Sequence, residues 1–167
     1  MQKEILNCFE STINEFLHTI SMFTQDQFNK VPFEGSWTAA EVSEHILKSI
    51  TGMPKLLKSD AITVQRPPDE KVQTMRSIFL NFDTKMKSPD FIILSDDIQQ
   101  KEELFNELKT TVLEIKNVAE STELTKAYPD FPLPGMGELT GLEWINFVIY
   151  HVQRHNHQLS NIYEKLT

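Results

Sequence analysis

The fold class is decided by residues 140–167, which read TGLEWINFVIYHVQRHNHQLSNIYEKLT. Thr140, followed three residues later by Glu143, is a capping box, a pattern typical of the first turn of a helix. Apolar residues then lie at helical spacings along one face: Trp144, Phe147, Val148, Ile162 and Leu166. This stretch therefore predicts one long amphipathic helix that opens at Thr140.

Three more segments have the same helical periodicity. They cover residues 5–23, residues 42–57 and about residues 99–120. In each segment, apolar side chains three or four positions apart would face a common core. The sequence therefore predicts an all-α protein with four long helices.

Among these three segments, the second has the clearest sequence signal for a helix N-terminus. Either Ser36 or Thr38 can act as its N-cap, and Thr38 forms a further capping box with Glu41. Gly52 and Pro54 are expected to weaken this helix near its end without abolishing it.

The connections between the helices differ in length. Residues 60–98 are too many for a tight turn between antiparallel helices, and a connection of this length lets helices two and three run in the same direction. Within it we expect a shorter helix at residues 72–82 and an extended stretch at residues 91–94. A second irregular segment covers residues 124–139. We expect residues 1–167 to form a single domain.

Charge and composition exclude several classes of partner. The formal net charge is -8, so a nucleic acid or an anionic membrane surface would be repelled. No apolar run approaches the ~20 residues that a transmembrane helix needs. The single cysteine, Cys8, cannot form a disulfide framework. A cytoplasmic location is the default expectation, because residues 1–4 lack the pattern of a secretory signal.

Histidines interrupt the apolar face of the fourth helix. His151 and His155 are four residues apart, so their side chains are neighbours on that face. Burying them without partners would cost ~1–3 kcal/mol each, and either hydrogen bonds or a shared metal ion can satisfy them. His45, beside the apolar stripe of the second helix, is a candidate third ligand. We expect His157 and His18 to face solvent.

Three stretches carry a resemblance to a known family. They are SWTAAEVSEHI at residues 36–46, PGMGELTGLEW at residues 134–144 and HVQRHNHQL at residues 151–159. With this layout the chain resembles members of the DinB/YfiT-like superfamily of metal-dependent proteins. The resemblance implies a four-helix bundle with up-down-down-up topology and a long crossover between helices two and three.

The resemblance also implies a metal site. Carried over to this sequence, its ligands are His45, His151 and His155, and the ion is a divalent metal, most often nickel or zinc. Some relatives transfer low-molecular-weight thiols, and the resemblance leaves formation of a homodimer open. Glu41, one turn before His45, and Gln158, close after His155, are candidates to orient the imidazoles from outside the ligand set.

Two classes of function follow from such a site. Three histidines leave coordination positions free for a small-molecule substrate or a low-molecular-weight thiol, which favours a metal-dependent enzyme, either a thiol S-transferase or a hydrolase. The alternative is a non-catalytic binding module, in which the metal ties helix two to helix four.

Overall fold

Helices account for most of the protein. The computed structural model describes residues 2–167, and apart from isolated β-bridges their regular secondary structure is helical. The helices are α1 (Gln2–Met22), α2 (Gln25–Phe28), α3 (Ala39–Ile50), α4 (Met53–Leu57), α5 (Val72–Phe79), α6 (Lys101–Ser121) and α7 (Gly141–Leu166). The all-α fold class is confirmed, and α1, α3, α6 and α7 are the four long helices of the bundle.

Capping boxes set where two of these helices begin. The Thr38 hydroxyl accepts a hydrogen bond from the Glu41 N–H (3.1 Å), and the Glu41 carboxylate accepts one from the Thr38 N–H (2.7 Å). Thr140 and Glu143 repeat this arrangement at the start of α7. Of the two candidate N-caps for the second helix, Thr38 is the one used. The short helix α2, which the sequence did not predict, begins with a third capping box.

Contacts at the helix ends give the directions of α1, α6 and α7. The Gln2 side chain, at the start of α1, donates to the carbonyl oxygen of Ala119, near the end of α6 (2.9 Å). The rings of Phe23 and Tyr163, at the far ends of α1 and α7, lie 5.2 Å apart. Helix α1 is therefore antiparallel to α6 and parallel to α7.

Helix α3 runs against α7. Trp37, just before α3, lies beside His155 in the second half of α7, with 6.3 Å between ring centroids. Further along α3, His45 lies beside His151, which is one turn earlier in α7. The order is therefore up-down-down-up, as the resemblance implied, with α3 and α6 joined by a long crossover.

The second predicted helix is divided. Helix α3 ends at Ile50, and the chain resumes as α4 at Met53, with Pro54 in its first turn. Because proline has no N–H to donate to the preceding turn, Pro54 is tolerated there but not in the middle of a helix. The expected weakening near Gly52 is thus a break between two helices.

The crossover is anchored to the start of α7 by a buried ion pair. The carboxylate of Glu143 is fully buried and accepts two hydrogen bonds from the Arg66 guanidinium (2.7 and 2.8 Å) and one from the Lys71 N–H (2.9 Å). After α5, which ends at Phe79 and not at the predicted residue 82, no strand forms among the described residues. The stretch 91–94, expected to be extended, is irregular.

The segment 124–139 closes one end of the bundle. Ala127 forms isolated β-bridges with Ile62 and Thr140, and the Tyr128 hydroxyl donates to the carbonyl oxygen of Leu57 (3.2 Å). The core is one continuous cluster of apolar side chains that includes Phe9, Phe16, Ile46, Leu108, Ile115 and Val148. In the described part of the chain, no helix combines the length and the apolar character needed to cross a membrane.

Candidate metal centre

Three histidines meet inside the bundle. Nε2 of His151 lies 3.0 Å from Nε2 of His45 and 3.1 Å from Nε2 of His155. The spacing of four residues on α7 brings His151 and His155 together, and the antiparallel packing of α3 against α7 adds His45. All three side chains are buried, with relative exposures of 2% for His45, 8% for His151 and 9% for His155.

Each imidazole is held in a different way. Nδ1 of His155 lies 2.8 Å from Oε1 of Gln158, and Nδ1 of His45 lies 3.4 Å from the Ser88 hydroxyl. Nδ1 of His151 is buried and has no hydrogen-bond partner within residues 2–167. Instead, the ring of His151 stacks on Phe147 at a centroid distance of 5.3 Å.

Burial keeps these imidazoles neutral. It lowers the pKa of His45 to about 4 and that of His155 to about 3, well below the usual value of ~6.5. Burial, helped by the neighbouring imidazoles, also lowers the pKa of His151 well below its usual range. At pH 7 each ring therefore has one nitrogen lone pair available to a metal ion.

The Gln158 contact fixes one of these lone pairs. An amide oxygen only accepts hydrogen bonds, so Nδ1 of His155 carries the proton that it donates to Gln158. Nε2 of His155 is then unprotonated and faces the other two Nε2 atoms. This is the tautomer that a metal ligand requires.

Comparison with known sequences identifies the family. Residues 9–159 match the sequence profile of the DinB superfamily. The chain belongs to the DinB superfamily. A relative within reach of sequence comparison is the uncharacterised protein YuaE of Bacillus subtilis, which is 22% identical over 162 residues, covering 96% of this chain and 98% of YuaE.

Two solved structures share the fold of this DinB-superfamily chain. TT2238, a four-helix bundle protein, is 18% identical and superimposes with a TM-score of 0.58 over 96% of this chain and 99% of its own. YfiT from Bacillus subtilis is 13% identical, with a TM-score of 0.62 over 99% of this chain and 87% of its own. YfiT is described as a probable metal-dependent hydrolase with an unusual four-helix bundle topology.

The other residues singled out from the sequence lie as follows. The Gln158 contact with His155 is present, whereas the Glu41 carboxylate is turned to the Thr38 N–H in the capping box. The group beside Nδ1 of His45 is instead the Ser88 hydroxyl, which sequence analysis missed. His18 and His157 are exposed, as expected.

The donor set fits a divalent metal. Two imidazole nitrogens that bind one ion at ~2.0–2.1 Å lie about 2.9 Å apart at a right angle and about 3.4 Å apart at the tetrahedral angle. The observed separations of 3.0 and 3.1 Å fall between these values. Within residues 2–167, His45, His151 and His155 are the group of potential ligands close enough to share one ion. Three imidazoles suit zinc, nickel, copper and iron.

Proposed function

We propose that the protein is a metal-dependent enzyme whose divalent ion, nickel or zinc, is bound by His45, His151 and His155. The observation that carries this proposal is the neutrality of the donor set. All three donors are uncharged imidazoles, and their hydrogen-bond and ring partners outside the histidine cluster are aromatic rings, the Ser88 hydroxyl and the Gln158 amide.

Neutral ligands matter because they leave the charge of the ion uncompensated. A divalent ion in such a site lowers the pKa of a bound water or thiol and polarises a substrate oxygen. The buried surroundings keep bulk water away from the imidazoles and strengthen electrostatic interactions with them. The site is therefore suited to a reaction that needs an oxygen or sulfur nucleophile at neutral pH.

The protein's own groups supply orientation. Gln158 holds the proton of His155 on Nδ1, and Ser88 stands beside Nδ1 of His45. Phe147 and Phe79 pack against the His151 ring, at 5.3 and 5.8 Å between centroids. These contacts fix the directions of the three Nε2 atoms before an ion arrives, which reduces the entropy cost of binding it.

Hydrolysis of a small-molecule substrate is the first reaction to test, because the structurally similar YfiT is described as a probable metal-dependent hydrolase. Transfer of a low-molecular-weight thiol to an electrophile is the second. Among the described contacts of the imidazoles there is no carboxylate that would act as a general base. A thiol, with a pKa of ~8.5, depends less on such a base than water does.

Elemental analysis and activity panels test the proposal together. Purified wild-type protein should contain, or take up, about one nickel or zinc ion per chain, and His45→Ala should lose it. The matched control is His18→Ala, which removes an exposed histidine of α1 and should leave the metal content unchanged. The loaded protein is then assayed with ester and amide panels, and with low-molecular-weight thiols plus electrophiles.

A purely structural metal is the competing function. In that case His151→Ala would lower the melting temperature strongly, and the loaded wild-type protein would show no turnover on any panel. Under our proposal, His151→Ala abolishes metal-dependent turnover while the exposed control His18→Ala retains it. A wild-type protein that binds neither nickel nor zinc would refute the metal site itself.

A further inference from the structure

The candidate metal centre is buried, and the second half of the crossover contacts it at His45. No ligand histidine is more than 9% exposed. A substrate, or the ion itself, can therefore reach the imidazoles only if a covering segment moves. The crossover segment that reaches His45 is residues 81–95, here called the strap, which follows α5 and leads towards α6.

One hydrogen bond joins the strap to a candidate ligand. Within residues 81–91, Ser88 is the residue that is partly buried, and its neighbours on both sides are exposed. Its hydroxyl lies 3.4 Å from Nδ1 of His45. The strap therefore contacts the Nδ1 edge of His45, while Nε2 of the same ring faces His151.

On one side the strap is held by α3. The carboxylate of Glu44, next to His45 in sequence, accepts a hydrogen bond from the Ser95 N–H (2.9 Å) and pairs with Lys48 (2.7 Å). Lys48 in turn donates to the carbonyl oxygen of Ile93. Two successive turns of the helix that carries His45 thus hold the end of the strap.

On the other side the strap is held by α7. The guanidinium of Arg154, next to His155 in sequence, donates to the carbonyl oxygens of Phe79 (3.2 Å), Asn81 (2.9 Å) and Thr84. The ring of Phe82 stacks on the exposed His157 at 4.2 Å. The strap therefore bridges the two helices that carry the candidate ligands, and each attachment lies beside a ligand.

Little else keeps the strap in place. It contains no helix and no strand, and none of residues 81–95 is fully buried. Segments that have few buried apolar contacts and are held by solvent-accessible hydrogen bonds open locally at a small fraction of the global unfolding free energy. The bundle below, in contrast, is closely packed around one core.

We infer that the strap is a gate over the metal centre, and that Arg154 and the Glu44–Lys48 pair hold it shut. This inference rests on the proposed metal site. Opening the strap uncovers the Nδ1 edge of His45, and closing it shields that imidazole from bulk water. A gate changes the rates of entry and exit by the same factor and leaves the equilibrium affinity unchanged.

The rates of nickel binding and release measure the opening of the strap directly. Binding of nickel to metal-free protein is followed in a stopped-flow instrument through the fluorescence of Trp37, whose ring lies 5.2 Å from that of His45. Release is followed by mixing the nickel-loaded protein with excess chelator. In Arg154→Ala, which removes all three guanidinium contacts, both rates should rise about tenfold. The ratio of the rates should be unchanged or shift towards tighter binding, because the variant also removes a positive charge that acts on His151 and His155. Lys48→Ala should act in the same direction.

The control is Lys116→Ala, which removes an exposed ion pair with Glu10 on α1 and leaves the strap untouched. A second readout needs no metal. Lys85 and Lys87 lie exposed in the strap, so trypsin should cut metal-free Arg154→Ala there faster than wild type or the control.

The outcomes separate the gate from other roles. Unchanged exchange rates in Arg154→Ala would overturn the inference. So would faster release alone with weaker affinity, because that result means that Arg154 only helps to position His155. Tight metal binding with gated exchange but no turnover on any panel would refute the proposed enzyme and leave the gate standing.

Discussion

Replacing Glu143 with Gln should destabilise the protein by ~3–5 kcal/mol, the range found when one partner of a buried ion pair is removed. The Glu143 carboxylate is fully buried and accepts four hydrogen bonds: two from Arg66, one from the Lys71 N–H and one from the Thr140 N–H. A glutamine amide has one accepting oxygen. Its NH2 group would therefore face two of these four donors, and the Arg66 charge would lose its counter-ion.

Urea unfolding followed by circular dichroism gives the free-energy difference. For a domain of this size the thermal midpoint should fall by roughly 2–4 °C for each kcal/mol lost. The matched control is Glu10→Gln, which breaks the exposed pair between Glu10 and Lys116 (2.8 Å). Exposed pairs of this kind contribute at most ~1 kcal/mol.

The effect of Glu143→Gln should also depend on pH. Burial raises the pKa of Glu143, but hydrogen bonds from Arg66 and from the backbone outweigh burial and lower the pKa below its usual value. A carboxylate with a lowered pKa in the folded state stabilises the protein above ~4.5, and this contribution is lost as the pH falls towards the folded-state pKa. The gap between wild type and variant should therefore shrink below pH ~4.5. A variant within ~1 kcal/mol of wild type at pH 7 would refute this account of the ion pair.

Three further predictions concern the metal centre and the start of α7. Gln158→Ala should weaken metal affinity by about 10–100-fold in a chelator competition, whereas Gln158→Glu, which keeps an acceptor for His155, should lose less. Metal-free protein should lose roughly 4–5 kcal/mol of stability between pH 6.5 and 5, because the unfolded chain binds protons at His45, His151 and His155, which stay neutral in the folded state; a flat profile from urea titrations would contradict this. Gly141→Ala should destabilise by about 1–3 kcal/mol in thermal melts, since the new Cβ would lie 3.0 Å from the Leu124 Cα; an unchanged midpoint would show that this contact relaxes.

Local signals were sufficient to predict the four long helices, although the short helix α2 was missed. The Thr38 and Thr140 capping boxes involve residues only three positions apart, so the sequence alone determines them. The pairing of His151 with His155 is equally local, because one turn of helix brings them together. The break at Gly52 was partly visible from the neighbouring proline, although the sequence did not show that a second helix starts there.

The long-range contacts that sequence analysis missed depend on the crossover. Ser88 follows an irregular stretch without apolar periodicity, so nothing local indicates that it reaches His45, 43 positions earlier. Arg66 is likewise distant from Glu143, and from sequence Glu143 had only its capping role. Both contacts form after the bundle has brought distant segments together, and a local pattern carries no information on them.

Glu41 shows how two local roles compete for one side chain. One turn of helix separates it from His45, so an outer contact with that imidazole was a reasonable expectation. The first turn of a helix, however, leaves backbone N–H groups without partners, and the Thr38 N–H is the nearer donor. The Glu41 carboxylate therefore accepts the Thr38 N–H, and Nδ1 of His45 is contacted by Ser88 of the strap.

The two halves of the crossover are held by interactions of different strength, and this separates stability from access. The first half is fixed by the buried pair of Arg66 with Glu143, whereas the strap is fixed by Arg154 through exposed or half-buried contacts with backbone oxygens. Glu143→Gln should therefore lower the unfolding free energy and leave nickel exchange per folded molecule unchanged at pH 7. Arg154→Ala should have the opposite profile, with faster exchange and a nearly unchanged unfolding free energy. If the two variants changed both quantities in parallel, the crossover would open as one unit with the bundle, and stability and access would not be separable.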